Sequence, residues 1–433
     1  MSDRHAKRYA AYKESGVEWL GKVPAHWELR RIKEVCEINK KTLGEKTSPT
    51  YEFDYVDIGS VTYGEKGYAK ERMTFATAPS RAKRIVKKGD TIISTVRTYL
   101  KAIATIDTHV NDLIVSTGFA VISPGKHIVE TYCSYLLLTN YIIDRICALS
   151  SGVSYPATNS TVIGDLFFLI PSLPEQTAIA AYLDTKTAQI DRQIELLSKK
   201  AMQYGKLKQS LINETVTHGL DNSIPKKESG VEWIGEVPEH WVIDRIGTAF
   251  EERSQKVNDT DYPPLSVSMR GIVPQMESVA KTDNNDNRKR VAVGDYVINS
   301  RSDRRGASGI SIYEGSVSVI SIVLAPKRKF IGKYLHHLFR SYRFIEEFYR
   351  FGRGIVDDLW TTRYSVMKGI EFAYPPFEEQ TAIAVYLDTK TAKIDRIVST
   401  INTQIDKLKE LRKTLINDVV TGKIKVIPEG ELV

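Results

Sequence analysis

Cysteine is scarce: Cys36, Cys133 and Cys147 are the three in 433 residues, and no two stand in a CxxC spacing. An odd, unpaired set speaks against a disulfide framework or a structural zinc site and fits a reducing cytoplasm. No stretch approaches the roughly 18 to 20 apolar residues of a membrane span. The opening MSDRHAKRYAAYKESG is basic and has no apolar core, so no secretory signal is expected. A soluble, cytoplasmic protein without a membrane partner is therefore the expectation. What is present is 42% hydrophobic residues, enough for two to four domains with proper cores. The net charge is +8, a modest basic excess that points to a polyanion only where the bases cluster.

Signals for bond-making chemistry are also missing. The run GSVTYGEK at residues 59–66 resembles a phosphate-binding loop, but Glu65 stands in the lysine position and no Ser or Thr follows Lys66. Tyr374-Pro375-Pro376-Phe377 resembles the Asn-Pro-Pro-aromatic motif of amino-methyltransferases. That chemistry needs an amide or carboxylate to hold the target amino group, and Tyr374 supplies neither. The other half of the chain has Ile170-Pro171-Ser172-Leu173 there, so the position reads as a helix entrance. His336-His337 reads as structural, and no carboxylate–lysine cluster typical of nucleases stands out. No catalytic, metal or cofactor site is expected.

The chain repeats itself. Glu14–Trp27 (ESGVEWLGKVPAHW) returns as Glu228–Trp241 (ESGVEWIGEVPEHW) at an offset of 214. Glu175–Arg192 returns as Glu379–Arg396 at an offset of 204, with sixteen of eighteen positions identical. Between these blocks, residues 30–172 and 244–376 share little beyond a Gly-Asp turn (Gly89-Asp90, Gly294-Asp295) and a proline exit (Pro171, Pro375). Two constant frames thus surround two different inserts, which implies one architecture with two specificities. Trp19, Trp27, Trp233 and Trp241 belong to the frames and read as core anchors.

After Pro174-Glu175 the pattern turns helical, with a proline and a carboxylate suited to a first turn. Ile190, Ile194, Leu197, Ala201, Tyr204 and Leu211 fall on one seam with a 3.5-residue period. Ile394, Val398, Ile401, Ile405, Leu408, Leu415 and Val419 repeat it, and Lys208 and Arg412 place a base at one seam position in each copy. Helices of some 40 residues would run roughly 60 Å, with Gly205 weakening the first by about 1 kcal/mol relative to Ala. Such narrow seams need partners. They could be two separate dimerisation arms, or they could pair antiparallel within the chain. The second arrangement creates a pseudo-twofold axis and a nearly circular organisation, and is preferred.

The inserts read as mixed α and β, with strands within 91–97, 165–171 and 295–300 and helical stretches over 130–147 and 333–350. Their bases cluster at equivalent places: Arg81, Lys83, Arg84, Lys87, Lys88, Arg97 and Lys101 in the first, and Arg288, Lys289, Arg290, Arg301, Arg304 and Arg305 in the second. Bases flanking a strand can neutralise phosphates and set register on a duplex. Base reading needs polar side chains on nearby loops. The first insert offers Ser150, Ser151, Ser154, Tyr155, Thr158 and Asn159, and the second Arg350, Arg353, Trp360, Thr361, Thr362 and Arg363.

The SGVEW-(I/L)-G-x-V-P-x-H-W block, the P-x-x-EQ-x-x-I helix start and the YLD-x5-IDR stretch, all doubled, resemble the specificity subunit of Type I restriction-modification systems. The resemblance covers essentially the whole chain. It implies an α+β fold: two mixed α/β target recognition domains in tandem, related by a pseudo-twofold and separated by two long helices forming an antiparallel coiled coil. On that pattern residues 1–172 and 221–376 are recognition domains, 173–220 and 377–424 the conserved helices, and 425–433 a tail. Each domain would read one half of a bipartite double-stranded DNA site. The conserved helices would dock two methyltransferase subunits, with Gln176, Tyr182, Asp184, Gln380, Tyr386 and Asp388 as docking positions. Restriction motor-nuclease subunits would complete the enzyme, and S-adenosylmethionine, ATP and magnesium would belong to those other subunits. A specificity subunit of a related restriction type and a non-catalytic scaffold remain as alternatives.

Overall fold

A computed structural model describes residues 8–62, 67–275, 286–354 and 360–426. The chain divides into two compact units: residues 1–196 with 404–433, and residues 197–403. Each unit therefore holds one insert, one half of the first long helix (Leu173–His218) and one half of the second (Phe377–Val420).

In the first unit, Tyr12–Glu14 and Lys22–Pro24 form a hairpin, and Glu28–Arg31 pairs antiparallel with Phe167–Ile170. A four-stranded antiparallel sheet follows in the order Cys36–Ile38, Phe119–Pro124, Thr91–Ser94, Ile103–Thr105. Its central strands are apolar on both faces, and both faces are covered. A second sheet joins Glu71–Thr74, Glu52–Val56, Leu113–Ser116 and Ala82–Ile85, with Glu52–Val56 parallel to Leu113–Ser116.

The second unit repeats this plan, with a matching sequence in its frame and a different one in its insert. Lys226–Glu228 pairs with Glu236–Pro238, and Val242–Arg245 with Glu371–Tyr374. The four-stranded sheet runs Phe250–Glu252, Ser321–Pro326, Tyr296–Asn299, Ser308–Ile310. The units differ in the second layer, which here is Lys256–Val257, Arg288–Val291 and Gly315–Ser318 beside the hairpin of Leu265–Ser268 and Gly271–Pro274.

The one turn that the inserts share has a physical cause. Gly89 (φ 88°) and Gly294 (φ 92°) take the left-handed conformation that disfavours other residues. Asp90 and Asp295, both buried, then accept the backbone N–H three residues back, from Lys87 and Ala292. Each stretch expected to be one helix is two: Glu130–Leu137 and Asn140–Ala148, then Gly332–Phe339 and Tyr342–Arg350. Ser341 restarts the last as a helix cap by accepting from Phe344 N.

The frames are held by one carboxylate apiece, fully buried in the first and partly exposed in the second. Glu175 accepts from Tyr9 Oη (2.8 Å), Trp27 Nε1 (3.1 Å) and His26 Nε2 (3.0 Å). Glu379 accepts from Trp241 Nε1 (3.1 Å) and His240 Nε2 (2.6 Å). The His-Trp pair of one constant block thus binds the helix-start glutamate of the other, which ties the two repeated motifs together. Trp27 and Trp241 are fully buried and Trp233 donates to Glu371 O. Trp19 departs from the expected core role: it is 45% exposed and stacks on Arg145.

In each unit the helix segments pair antiparallel. The first core takes Ile179, Ala180 and Leu183 together with Ile416, Val419 and Val420, while Asp191 lies 3.2 Å from Arg412. The second takes Leu211, Ile212 and Val216 with Ile383, Ala384 and Leu387, while Lys208 donates to Asp395 at 2.7 Å. The expected seam residues are buried or half-buried along both helices, between exposed neighbours. The seams are closed by this pairing rather than left as separate dimerisation arms. The first helix runs unbroken through Gly205, and Tyr374-Pro375-Pro376-Phe377 is the entrance of the second, where Gln380 Nε2 donates to Pro375 O.

Candidate nucleic-acid interface

The central strands Thr91–Ser94 and Tyr296–Asn299 each run out into a loop, and each loop is stitched to a second one. In the first unit Thr158 N donates to Thr95 O at 2.8 Å, and Ala157 bridges both Val96 and Ser151. In the second unit Thr362 N donates to Ser300 O at 3.1 Å, and Thr361 bridges both Arg301 and Arg353. The same junction is therefore built twice from unrelated residues. Buried hydroxyls fix it: Thr98 donates to Ser150 Oγ at 2.8 Å, and Thr362 donates to Phe348 O at 2.9 Å.

These junctions gather part of the expected site. In the first unit they bring together Arg97, Lys101, Ser154, Tyr155 and Asn159. The Arg97 guanidinium lies over the Tyr155 ring at 4.9 Å, and Lys101 pairs with Asp144 at 3.1 Å. Asn159 accepts from Val162 N at 2.9 Å and caps the helix Ser160–Gly164. Arg81 lies on the same side, since Thr117 N donates to Arg81 O beside Gly118, whose carbonyl receives Thr95 N. In the second unit the junction collects Arg301, Arg304, Arg305, Arg353 and Arg363. Arg301 donates to Asp303 at 3.0 Å and Arg305 to Glu346 at 2.9 Å, while Arg353 and Arg363 are exposed.

Other expected residues stand elsewhere. Lys87 and Lys88 are exposed at the Gly-Asp turn, the opposite end of strand Thr91–Ser94 from the junction. Lys83 covers the Phe75 ring at 4.5 Å, and burial pushes the Arg84 guanidinium below its ordinary pKa. Three bases of the second cluster are engaged within the protein. Arg288 is buried and donates to Ser316 Oγ (2.8 Å) and Ser316 O (3.0 Å), and burial lowers its pKa. Lys289 bonds Glu252 and Ser321 O, and Arg290 pairs with Glu314. All three sit on strand Arg288–Val291, where Arg288 is buried and Lys289 and Arg290 are partly exposed.

The docking positions divide in the same way. Gln176 and Gln380 are buried and turn inward: Nε2 donates to Pro171 O and Pro375 O, and Oε1 accepts from Val129 N and Ile331 N. They offer no surface to a partner. Asp184 accepts from Tyr135 Oη at 2.7 Å. Asp388 accepts from Lys333 (2.6 Å) and His337 (2.8 Å); its burial is outweighed by these bonds, which lower its pKa. Tyr182 and Tyr386 are half-buried, with Lys186 and Lys390 over their rings. Of the phosphate-loop-like run, residues 63–66 lie outside the described residues, and Ile58–Ser60 forms a single 3-10 turn that leads into no helix.

Sequence reasoning passed over Tyr99, Leu100 and Val153, exposed apolar side chains at the first junction. The signal was available: an apolar pair between two bases, Arg97 and Lys101, and a valine in a polar loop. No helix among the described residues is long and apolar enough to cross a membrane, and they hold no His/Cys/Asp/Glu group fit for a metal ion.

Residues 24–200 match the family model of the Type I restriction modification DNA specificity domain. The putative type I restriction enzyme MjaX specificity subunit of Methanocaldococcus jannaschii is 23% identical, over 96% of this chain and 98% of its own. The type I restriction enzyme MjaIX specificity subunit of the same organism is 23% identical over 94% and 95%. Among solved structures, a chain from work on complex assembly and conformational transition of the type I R-M system superposes with a TM-score of 0.70 at 20% identity, over 92% of this chain and 98% of that one. The HsdS subunit from Thermoanaerobacter tengcongensis gives a TM-score of 0.50 at 20% identity, over 93% and 98%. A specificity-domain match in the first half, relatives aligned from end to end and the same fold in solved chains make this chain similar to the type I restriction-modification specificity subunits.

Proposed function

We propose that the chain is the DNA specificity subunit of a type I restriction-modification complex, in which each unit reads one half of a split double-stranded site. One observation carries this reading: the same two-loop junction is built in both units on a repeated frame, yet it presents different side chains, Arg97 and Tyr155 in one and Arg301, Arg353 and Arg363 in the other. A constant scaffold with unlike tips suits two half-sites of unlike sequence. Arg81, Arg97, Arg304, Arg353 and Arg363 face the duplex at the junctions, and Lys87 and Lys88 hold phosphates further along the groove.

The paired long helices act as the spacer between the two half-sites. Their outer faces around Tyr182 and Tyr386 dock two modification subunits, and the motor-nuclease subunits join that assembly on DNA in the cytoplasm. Recognition is this chain's task, and bond making and breaking belong to its partners. The test is a selection from random duplex DNA by the chain purified together with its modification subunit. Enrichment of two short sequences at a fixed gap is expected; a complex that forms without enrichment would leave only a scaffold.

A further inference from the structure

Arg97 and Lys101 share an uncommon backbone. Both take positive φ, 50° and 52°, and bracket the tight turn Thr98–Leu100. Left-handed conformations in long side chains are disfavoured and persist only where the surroundings enforce them. Here they are enforced from beneath. Thr98 is buried, its hydroxyl bound to Ser150 and its carbonyl to Cys147 Sγ at 3.3 Å, and Thr95 N donates to Gly118 O at 2.8 Å. The result is an arginine pushed outward from a rigid base.

Its head group is fixed as well. The guanidinium stacks on Tyr155, itself 65% exposed, and Tyr155 is carried by the loop that Ala157 ties to Val96 and Ser151. Among the described residues no carboxylate pairs with Arg97. Two junction arginines of the second unit are held differently. Arg301, which takes the bridge position of Val96, has an ordinary φ of −82° and donates to Asp303, and Arg305 donates to Glu346. Those heads are occupied, whereas the exposed Arg97 head lies over the Tyr155 ring with no carboxylate partner among the described residues. A stacked guanidinium is a pre-organised bidentate donor, and in the major groove the matching pair of acceptors is guanine O6 and N7.

We propose that Arg97, positioned by Tyr155, reads a guanine in the half-site of the first unit. This rests on the DNA-reading function proposed above and assigns one residue to one base. The test uses the chain with its modification subunit and the random-duplex selection. Arg97→Gly removes the guanidinium while keeping a residue that accepts φ near 50°. It should lose roughly 10- to 100-fold of discrimination at a single guanine of one half-site, with the other half-site and the gap unchanged. The intact half-site reports that the molecule is folded and assembled. Tyr155→Ala should weaken preference at that same position, and Tyr155→Phe should leave it.

Enrichment of the unaltered motif by Arg97→Gly, or a uniform fall in affinity across all sequences, would overturn the proposal and leave the two-unit reading standing. A wild-type chain that enriches no split motif would overturn that reading itself.

Discussion

Lys208 donates to Asp395 at 2.7 Å in one unit, and the matching positions of the repeat, Arg412 and Asp191, lie 3.2 Å apart in the other. Both bases stand 204 residues apart, as do both acids. Each pair sets a later residue of one helix against an earlier residue of its partner, the signature of antiparallel pairing. Lys208→Glu and Asp395→Lys should each destabilise the protein slightly, by about 0.2–1 kcal/mol for so exposed a pair. The double exchange should recover most of the loss. Thermal unfolding of the four-member cycle measures the coupling, and additive losses would remove the pair from the account.

Glu175 receives three donors and is fully buried, whereas Glu379 receives two and is partly exposed. Glu175→Ala strands Trp27 Nε1 and Tyr9 Oη inside the core, at about 1–3 kcal/mol for each unsatisfied group. Glu379→Ala leaves its donors closer to water. Calorimetry should find the first substitution the more damaging, and equal losses would contradict the role given to burial.

Acid should act unevenly on the two units. Burial lowers the pKa of His337 and pushes His336 down to about 4, while the unfolded chain protonates both near 6.5. Below that value the unfolded state binds protons that the folded state refuses. Stability is therefore lost as pH falls below about 6.5, with the window reaching towards 4 for His336, by up to about 1.4 kcal/mol per pH unit for each proton refused. Tyr135 meets Asp184 in the first unit where His337 meets Asp388 in the second. His337→Tyr should flatten the unfolding profile between pH 7 and pH 5, and an unchanged slope would rule out this histidine as a source.

The bases differ in what they can do on DNA. Arg81→Ala with Lys87→Ala and Lys88→Ala should weaken binding to every duplex and reduce the salt slope by about 2–3. Arg288→Ala should instead lower stability with little change in that slope, because its guanidinium is spent on Ser316. Binding titrations at several salt concentrations separate the two outcomes, and a large slope change for Arg288→Ala would reverse its assignment.

The frames and seams were legible in the sequence because their causes are local. A 3.5-residue apolar period marks Ile190 to Leu211 and Ile394 to Val419, and a glycine before a buried aspartate marks both turns. The strand order that the two inserts share was not legible. It rests on strand pairings such as Phe119–Pro124 with Thr91–Ser94, which many sequences satisfy. Nor was the junction, because the bridge joining Val96 to Ala157 links positions about sixty residues apart. Charge alone misassigned Arg288, and polarity alone misassigned Gln176 and Gln380, since neither reveals a partner on the inner side of a strand or a first turn.

The two-tip ruler is tested most directly by lengthening it. Seven residues inserted at matching places in both helices, after Lys200 and after Gln404, preserve the seam and add about 10.5 Å. At 3.4 Å per base pair, the selected gap should grow by about three base pairs while both half-site sequences stay the same. An unchanged gap, or altered half-sites at a constant gap, would contradict the account.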